Sequence, residues 1–544
     1  MRAADRITEA SGGQNASAEA GCRQEHGQIA SAHPLATQAG RQVLERGGNA
    51  FDAAIAVASA LNVVEPMMSG LGGYGTILVY DANKKQIRYL NSSGRFPLKC
   101  NSDLMRHPTT DYLGNRTGPK AISTPGNLNA WKELHKTYGK LPWPVLFEGA
   151  ISYAEKGFRV TPHCAKWIAA AFDSFTEYPR SFYGRAGLPL KESDLLVQKD
   201  LAGTYQSIAD QGPGPFYHGE IANRIDKQMK DIGSFLSIED LQRNVAEWWD
   251  PVSIHYRGYE IYTAGMPSNA FPSLFTLGVM QQFDLTTLVH NSKIYLHLLA
   301  EVEKESCKMR LTHPGELEAK DFIINSILTD ENFRVVAASL DLARASDFSL
   351  PFEHENENTT HFAIVDKWGN IVSATQTLGN MFGSRVMVEG TGIWLNNSMA
   401  YSNFEPKGNP MDVVPGRYKV SGDSPVIIMK DRIPWAALGT PGGHTITQNV
   451  PQIILNLIDF KMNMQQAIDA PKIAFLEETR TLRVEEGIAQ AVLDSLREMG
   501  HVIVDGIIGN AMGVKMVHEA GRTSFEIGVD TRWDGHRPMT NASL

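Results

Sequence analysis

The hydrophobic positions near the start of the chain predict two consecutive helices. Between Pro34 and Arg46 the apolar residues recur at helical spacing, and two glycines follow as a C-terminal cap. Residues 50–64, preceded by Asn49 as a cap, are apolar on nearly every side, so this second helix is expected to lie inside the protein. Residues 1–30 are rich in small, polar and charged residues, which predicts a mobile tail.

Patterns typical of strands follow this helical region and return in the last third of the chain. Residues 76–80 and 86–90, separated by a polar turn, predict a β-hairpin whose first strand is buried. Residues 361–366 and 371–378 predict a second hairpin in the same way. Between the hairpins, residues 125–345 combine amphipathic helical patterns with turns and are expected to be mainly helical.

The composition is that of a large globular protein. Of the 544 residues, 42% are hydrophobic and 20% are charged, which is enough apolar material for a large core. The net charge is -9 with acidic and basic residues mixed, so a basic surface for nucleic acid is not expected. The longest apolar run, residues 53–64, is much shorter than the roughly 20 residues that span a bilayer, so no membrane helix is expected.

The first residues and the cysteines favour a cytoplasmic protein. The first thirty residues contain scattered charges and lack the apolar centre of a secretory signal. The cysteines are far apart, without the close pairs typical of zinc sites or of a disulfide framework: Cys22, Cys100, Cys164 and Cys307. No metal or cofactor is predicted, and His361 and His444 are interpreted as local hydrogen-bonding residues.

A glycine cluster at residues 70–75 matches the pattern GxGxxG of dinucleotide-binding loops. Such a loop follows a strand and precedes a helix, whereas here a predicted helix comes first and a predicted strand follows. The cluster is therefore interpreted as a tight turn that permits close packing of the backbone.

A threonine at the start of the second hairpin, Thr359, is the candidate nucleophile. It follows the polar segment 353–358 (EHENEN), which is expected to be exposed. Cleavage between Asn358 and Thr359 would give one residue both a hydroxyl nucleophile and a free α-amine, whose pKa near 8 suits it to act as general base. Threonines at the start of a strand are also ordinary β-formers, so the local sequence alone leaves a purely structural role open.

The glycine-rich segment 439–444 is the candidate oxyanion site. Gly442 and Gly443 offer two successive backbone N–H groups without side chains to shield them. The alternative is an ordinary loop after the predicted strand 435–438.

Several segments, in this order, resemble those of the γ-glutamyltranspeptidase family, and the resemblance runs from about Ser31 to the end of the chain. The segments include TTHFAIVDKWGN and GTPGGHTI, and together they lie at residues 47–73, 138–143, 236–241, 256–263, 359–370, 392–399 and 439–446.

The resemblance implies an α+β fold, a four-layer αββα sandwich of the N-terminal-nucleophile hydrolase type. It also implies a precursor that cuts itself between Asn358 and Thr359 into a large subunit, 1–358, and a small subunit, 359–544, which form a heterodimer. Within it, Thr359 would be the nucleophile and Thr377 would orient it. Gly442 and Gly443 would form the oxyanion hole.

The departures from the family pattern lie where the family binds the charged head of a γ-glutamyl group. Ser93 stands at the family's arginine, with Arg95 two positions later, and Gly379 stands at an asparagine, with Asn380 beside it. The remaining substrate-binding candidates are Ser398, Tyr401 (in place of an aspartate), Ser421 and Gly422. Arg95 is expected to grip a substrate carboxylate, whereas a substrate ammonium has lost its acidic partner.

The first functional hypothesis is hydrolysis or transfer of γ-glutamyl amides such as glutathione through a threonyl acyl-enzyme. One alternative is an amidohydrolase of other carboxylic acids, similar to oxamate amidohydrolases or cephalosporin acylases. Another is a catalytically silent family member that acts as a binding protein. The predicted partners are a small-molecule amide and the chain's own two subunits, and further assembly into a homo-oligomer stays open.

Overall fold

The structure, a computed structural model, describes residues 26–313, 317–350, 358–519 and 522–532. Most of the predicted tail, and the polar segment up to residue 357, lie outside these ranges. The tail prediction extended too far, because Gly27–Ser31 is a strand that pairs with Asn358–Asp366. This short strand depends on a partner more than 300 residues away in the sequence, so no local pattern reveals it.

Two antiparallel sheets, each of six strands, form the centre of the fold. The strands of the first sheet are, in spatial order, Gly27–Ser31, Asn358–Asp366, Ile371–Gly379, Tyr74–Asp81, Gln86–Asn91 and Glu247–Trp249. Those of the second sheet are Arg522–Val529, Met512–Glu519, Ile433–Gly439, Val426–Lys430, Tyr259–Thr263 and Val252–Tyr256.

The two sheets pack face to face, and helices cover their outer faces. The helices Pro34–Glu45 and Ala50–Val64 pack on the first sheet. The second sheet is covered by Phe271–Met280, Ile446–Ile458 and Met464–Asp469. The order helix, sheet, sheet, helix confirms the predicted αββα sandwich.

The helix Ala50–Val64 is buried along its whole length, as its apolar sequence predicts. Asn49 caps it by accepting hydrogen bonds from the N–H groups of Phe51 and Asp52, and the Asp52 carboxylate accepts the N–H of Asn49 in return. This reciprocal capping box satisfies backbone donors that would otherwise be buried without partners.

Both predicted hairpins are present, and the glycine cluster at residues 70–75 lies between a helix and a strand, as expected. The middle of the chain contains many helices, as predicted, but it also contributes edge strands to both sheets, Glu247–Trp249 to the first among them. The strands Val252–Tyr256 and Tyr259–Thr263 lie within the segment predicted to be mainly helical, and they form one edge of the second sheet. Their signal was the alternation of apolar and polar residues in Val252–Tyr256, which has the period of a strand.

Smaller elements surround this sandwich. The other α-helices are Asn127–Tyr138, Glu148–Lys156, Pro162–Ala171, Glu177–Tyr183, Lys199–Gln211, Gly214–Tyr217, Glu220–Asp231, Ile238–Arg243, Lys293–Thr312, Lys320–Phe322, Asp330–Ser339 and Gln490–Glu498. The other strands are Phe158–Arg159, Gly184–Arg185, Leu188–Pro189, Leu195–Leu196, Met387–Val388, Ile393–Trp394, Ile473–Leu476, Thr481–Val484 and Ile503–Asp505. Within the described ranges, no helix has the length and apolar character needed to cross a membrane.

Candidate active site

Thr359 lies near the start of the strand Asn358–Asp366, next to the strand Ile371–Gly379 that carries Thr377. The pairing register of these two strands shifts between Asn358 and Thr360, so Thr359 lies at an irregularity of the ladder. Such irregularities re-aim side chains and are common beside active sites. This one brings the hydroxyl groups of Thr359 and Thr377 together.

The two threonine hydroxyls converge on one carbonyl group. The Oγ1 atoms of Thr359 and of Thr377 each lie 2.7 Å from the carbonyl oxygen of Asn358, and they lie 3.3 Å from each other. The N–H of Gly379 donates to Thr377 Oγ1 at 2.8 Å. Because Thr377 Oγ1 accepts that bond, its single proton is directed toward the Asn358 oxygen.

Burial strengthens this arrangement. Thr359 is 3% exposed and Thr377 is 2% exposed, so the carbonyl of Asn358 is polarised in a medium of low dielectric constant. The arrangement can stabilise negative charge on the Asn358 oxygen while the adjacent Thr359 hydroxyl attacks the carbonyl carbon.

Gly442 and Gly443 lie in the turn that joins the strand Ile433–Gly439 to the helix Ile446–Ile458. Gly442 has a φ of 139°, and a Cβ built on it would lie 2.6 Å from Thr445 Oγ1, so a larger residue does not fit. Among the described residues, neither N–H group of the two glycines donates to an acceptor. The nearby helix N-terminus adds positive potential, which favours an anion at this turn.

A small cavity of about 40 Å³ opens at Thr359. Five of the predicted site residues line it: Thr359, Thr377, Tyr401, Gly422 and Gly443. Ser421 does not line the cavity itself. Its hydroxyl donates to Oδ2 of Asp423, a lining residue, at 2.8 Å.

A neighbouring cavity of about 490 Å³ is lined by two further predicted residues, Asn380 and Gly442, together with Asn358. The N–H of Asn380 donates to Asn397 Oδ1 at 2.8 Å. At Gly379, where the family has an asparagine, a Cβ would overlap the Asn397 amide, so this packing requires glycine.

Arg95 and Ser398 are not brought to the Thr359 cavity. The Arg95 guanidinium lies 3.5 Å from the centroid of the Tyr418 ring and donates to the carbonyl oxygen of Gly416 at 3.2 Å. The hydroxyl of Ser398 is buried against that of Ser123. Within the described chain, neither predicted residue lines the cavity, and the side chain of each is engaged in these other contacts.

Two charged residues that the sequence analysis missed line the cavity instead, Lys419 and Asp423. Lys419 is 2% exposed, and its Nζ lies 3.1 Å from the centroid of the Tyr74 ring. Burial lowers the pKa of the Lys419 ammonium and raises the pKa of the Asp423 carboxyl, while each charge partly offsets the shift of the other. Their signal was the presence of two charges in the short segment 419–423, just before a buried strand.

Arg310 also lines the cavity and was not predicted. It comes from the helix Lys293–Thr312, and its guanidinium forms a buried ion pair with Glu477. Its positive charge is therefore balanced inside the protein.

The two histidines near the site have different surroundings. His361 Nδ1 lies 2.9 Å from Thr375 Oγ1, which confirms its predicted local hydrogen bonding, and burial lowers its pKa to about 3, so it stays neutral. His444 lines both cavities, and its ring packs edge-on against Tyr401 with centroids 6.3 Å apart.

One group of side chains elsewhere has the composition of a metal site, namely His297, Glu301 and His501. His297 Nδ1 and His501 Nε2 are hydrogen-bonded at 2.8 Å, and Lys304 Nζ donates to Glu301 Oε1 at 2.8 Å. Since these bonds already use the ligand atoms, and a lysine ammonium lies beside them, the group is a buried hydrogen-bond network.

Comparisons with known proteins agree along nearly the whole chain. The family model described as Gamma-glutamyltranspeptidase matches residues 36–538. The glutathione hydrolase proenzyme of Bacillus subtilis (strain 168) is 32% identical over 523 residues, covering 91% of this chain and 88% of that relative. The acylase ACY 1 proenzyme of Pseudomonas sp. (strain SE83) is 32% identical over 494 residues, covering 88% of this chain and 87% of that relative.

Solved structures also match the fold. The crystal structure of cephalosporin acylase from Bacillus halodurans is 28% identical, with a TM-score of 0.84, covering 94% of this chain and 95% of the other. The γ-glutamyltranspeptidase of Helicobacter pylori is 30% identical, with a TM-score of 0.54, covering 57% of this chain and 90% of that one.

Proposed function

Since the chain belongs to the γ-glutamyltranspeptidase family of N-terminal-nucleophile hydrolases, we propose that it cuts itself between Asn358 and Thr359 and then hydrolyses γ-glutamyl amides through Thr359. The observation that carries this proposal is the convergence of the Thr359 and Thr377 hydroxyls on the Asn358 carbonyl oxygen. The names of the relatives, glutathione hydrolase proenzymes among them, support the choice of substrate.

Self-cleavage begins with attack of Thr359 Oγ1 on the carbonyl carbon of Asn358. The Thr377 hydroxyl stabilises the resulting oxyanion, and the bond from this carbon to the Thr359 nitrogen breaks. The hydroxyl proton ends on that nitrogen, which becomes a free amine, while the acyl group is held as an ester on Oγ1. Water then hydrolyses the ester and leaves a carboxylate on Asn358.

Turnover of substrate repeats this chemistry with an external amide. The new α-amine of Thr359 takes the proton of its own hydroxyl, and Oγ1 attacks the amide carbonyl of the substrate. The free N–H groups of Gly442 and Gly443 are suited to stabilise the oxyanion, and the amine product leaves with the transferred proton. Water or a second amine then takes the acyl group from the ester.

A second candidate is hydrolysis of amides of other carboxylic acids. It is favoured by the similarity to a cephalosporin acylase and by the position of Arg95 and Ser398 away from the Thr359 cavity. Two rates distinguish the candidates: the release of p-nitroaniline from γ-glutamyl-p-nitroanilide and the release of ammonia from oxamate. A strong preference for oxamate would favour the second.

Mass spectrometry of the purified protein tests the proposed cleavage. We expect a fragment that begins at Thr359 from the wild type and from Thr359→Ser, which keeps a hydroxyl and an amine. Thr359→Ala should give neither the fragment nor turnover. An uncut wild-type chain that still hydrolyses amides would contradict the role of Thr359, and an uncut, inactive chain would favour a silent binding protein.

A further inference from the structure

The cavity beside Thr359 contains a buried cation, Lys419, that is close enough to Asp423 for their charges to interact but forms no salt bridge among the described residues. Among the described residues, no ion pair or hydrogen bond engages the Lys419 ammonium, whose contact is with the Tyr74 ring. The other cation in the wall, Arg310, is paired with Glu477. The Lys419 ammonium is buried and makes no hydrogen bond to a described residue, so it is available to bind an anionic group that enters the cavity.

The same wall contains a carboxylate with unused acceptor capacity. Asp423 Oδ2 accepts hydrogen bonds from Ser421 at 2.8 Å and from Thr76 at 3.4 Å. No described residue donates to Oδ1, and no ion pair joins Asp423 to Lys419. Asp423 is 3% exposed, so a cationic group reaching it would form a bond in a medium of low dielectric constant.

A third polar group without a partner adds to this pair. The side-chain oxygen of Asn269 is buried and accepts no hydrogen bond among the residues described, and Asn269 lines the same cavity. Its backbone N–H donates to the carbonyl oxygen of Ser421, which fixes it beside the segment 419–423. A buried polar group without a protein partner can take its hydrogen bond from water or from a ligand.

We infer that Lys419 and Asp423 together bind the charged head of the acyl group, with Lys419 holding the α-carboxylate and Asp423 the α-ammonium of a γ-glutamyl amide. Asn269 contributes an acceptor for the ammonium. The inference rests on the proposed function and names the residues that determine its specificity. They take over the task that the predicted arginine and aspartate positions, Ser93 and Tyr401, no longer perform.

Three p-nitroanilide substrates test the recognition of the α-carboxylate and of the α-ammonium separately. The γ-glutamyl compound has both, the glutaryl compound lacks the ammonium, and the 4-aminobutyryl compound lacks the carboxylate. Lys419→Met should lower kcat/KM by about 10- to 100-fold for the γ-glutamyl and glutaryl compounds, since a hydrogen bond to a charged group is lost. For the 4-aminobutyryl compound we expect a change of less than about threefold, because Lys419 has no carboxylate to bind there.

Asp423→Asn should give the opposite pattern, with losses for the γ-glutamyl and 4-aminobutyryl compounds and little change for the glutaryl compound. Lys140→Met is the matched control, because the Lys140 Nζ also lies over an aromatic ring, 4.0 Å from the Trp368 centroid, but at an exposed position. Rates are divided by the fraction of chain cleaved at Thr359, which corrects for misfolded protein.

Equal losses on all three substrates, or no loss on the γ-glutamyl compound, would overturn the assignment. Wild-type protein gives a test that needs no variant, because the γ-glutamyl compound should exceed both analogues at least about tenfold in kcat/KM. Comparable rates for all three would also overturn it. If the wild type cleaves the glutaryl compound in a Thr359-dependent way and ignores the γ-glutamyl compound, the proposed function fails, while the response of Lys419→Met still reports on the carboxylate site.

Discussion

Replacement of Thr377 by valine isolates the contribution of one hydroxyl to self-cleavage. Valine has nearly the shape of threonine, so the strand Ile371–Gly379 keeps its packing and loses the hydroxyl alone. That hydroxyl lies 2.7 Å from the Asn358 carbonyl oxygen and accepts the N–H of Gly379 at 2.8 Å. The variant therefore removes a donor from the developing oxyanion and an acceptor from a buried backbone group.

The two losses have different magnitudes and different readouts. Removing one preorganised oxyanion donor slows a reaction by about 10²- to 10³-fold, so self-cleavage of Thr377→Val should slow by that factor. Leaving the Gly379 N–H without a partner should lower the free energy of unfolding by about 1–3 kcal/mol. The first is measured as the rate at which the precursor gives way to the fragment beginning at Thr359, and the second by urea denaturation.

Thr375→Val is the matched control for this experiment. Thr375 lies two residues earlier on the same strand and is also buried. Its hydroxyl is hydrogen-bonded to His361 and not to the Asn358 carbonyl. We expect it to cleave itself at close to the wild-type rate, and Thr377→Ser to retain most of that rate. Cleavage of Thr377→Val within about threefold of wild type, or an equal slowing in Thr375→Val, would refute the proposed role of this hydroxyl.

Three other predictions concern the surroundings of the site. Gly439→Ala places a Cβ against the His361 ring and should lower the free energy of unfolding by about 1–3 kcal/mol, measured by urea denaturation; an unchanged value would mean that the ring moves aside freely. Arg310→Met leaves Glu477 buried without its partner and should destabilise the fold by about 3–5 kcal/mol, with recovery when Glu477→Gln is added; no recovery would argue that the ion pair is not the cause. Burial lowers the pKa of His361 from 6.5 to about 3, so the unfolded state binds a proton first as the pH falls. The stabilisation from neutral His361 is present above pH 6.5 and is lost at up to about 1.4 kcal/mol per pH unit below it. His361→Phe should flatten that decline in unfolding measurements between pH 7 and 5, and an unaltered slope would count against the buried histidine as its source.

Much of the fold could be predicted from the sequence where the signal is local. The helix Ala50–Val64 has an apolar surface and a capping pair, and both hairpins have alternating patterns with polar turns. The strand Gly27–Ser31 was missed, because its partner is distant in the sequence. The strands of residues 252–263 pair with each other as a local hairpin, and their alternating pattern was overlooked in a segment dominated by helical patterns.

The residues of the candidate site fall into the same two groups, those that a local motif predicts and those that only the tertiary structure reveals. Thr359, Thr377 and Gly443 were predicted from motifs, and the structure brings all three to one cavity. Lys419, Asp423 and Arg310 were missed, because their importance depends on how a loop, a strand and a distant helix meet in space. Arg95 was favoured for its charge and its place in the sequence, but stacking on Tyr418 directs its guanidinium elsewhere.

The location of the proposed cut has a consequence for the lifetime of the enzyme. Both central sheets interleave strands from before and after Thr359: Tyr74–Asp81 pairs with Ile371–Gly379 in one, and Tyr259–Thr263 pairs with Val426–Lys430 in the other. The two subunits therefore cannot separate without breaking the hydrogen bonds between paired strands of both sheets and exposing the hydrophobic core to water. Once unfolded, they would have to find each other again by diffusion, so recovery from denaturation should depend on protein concentration after cleavage and not before it.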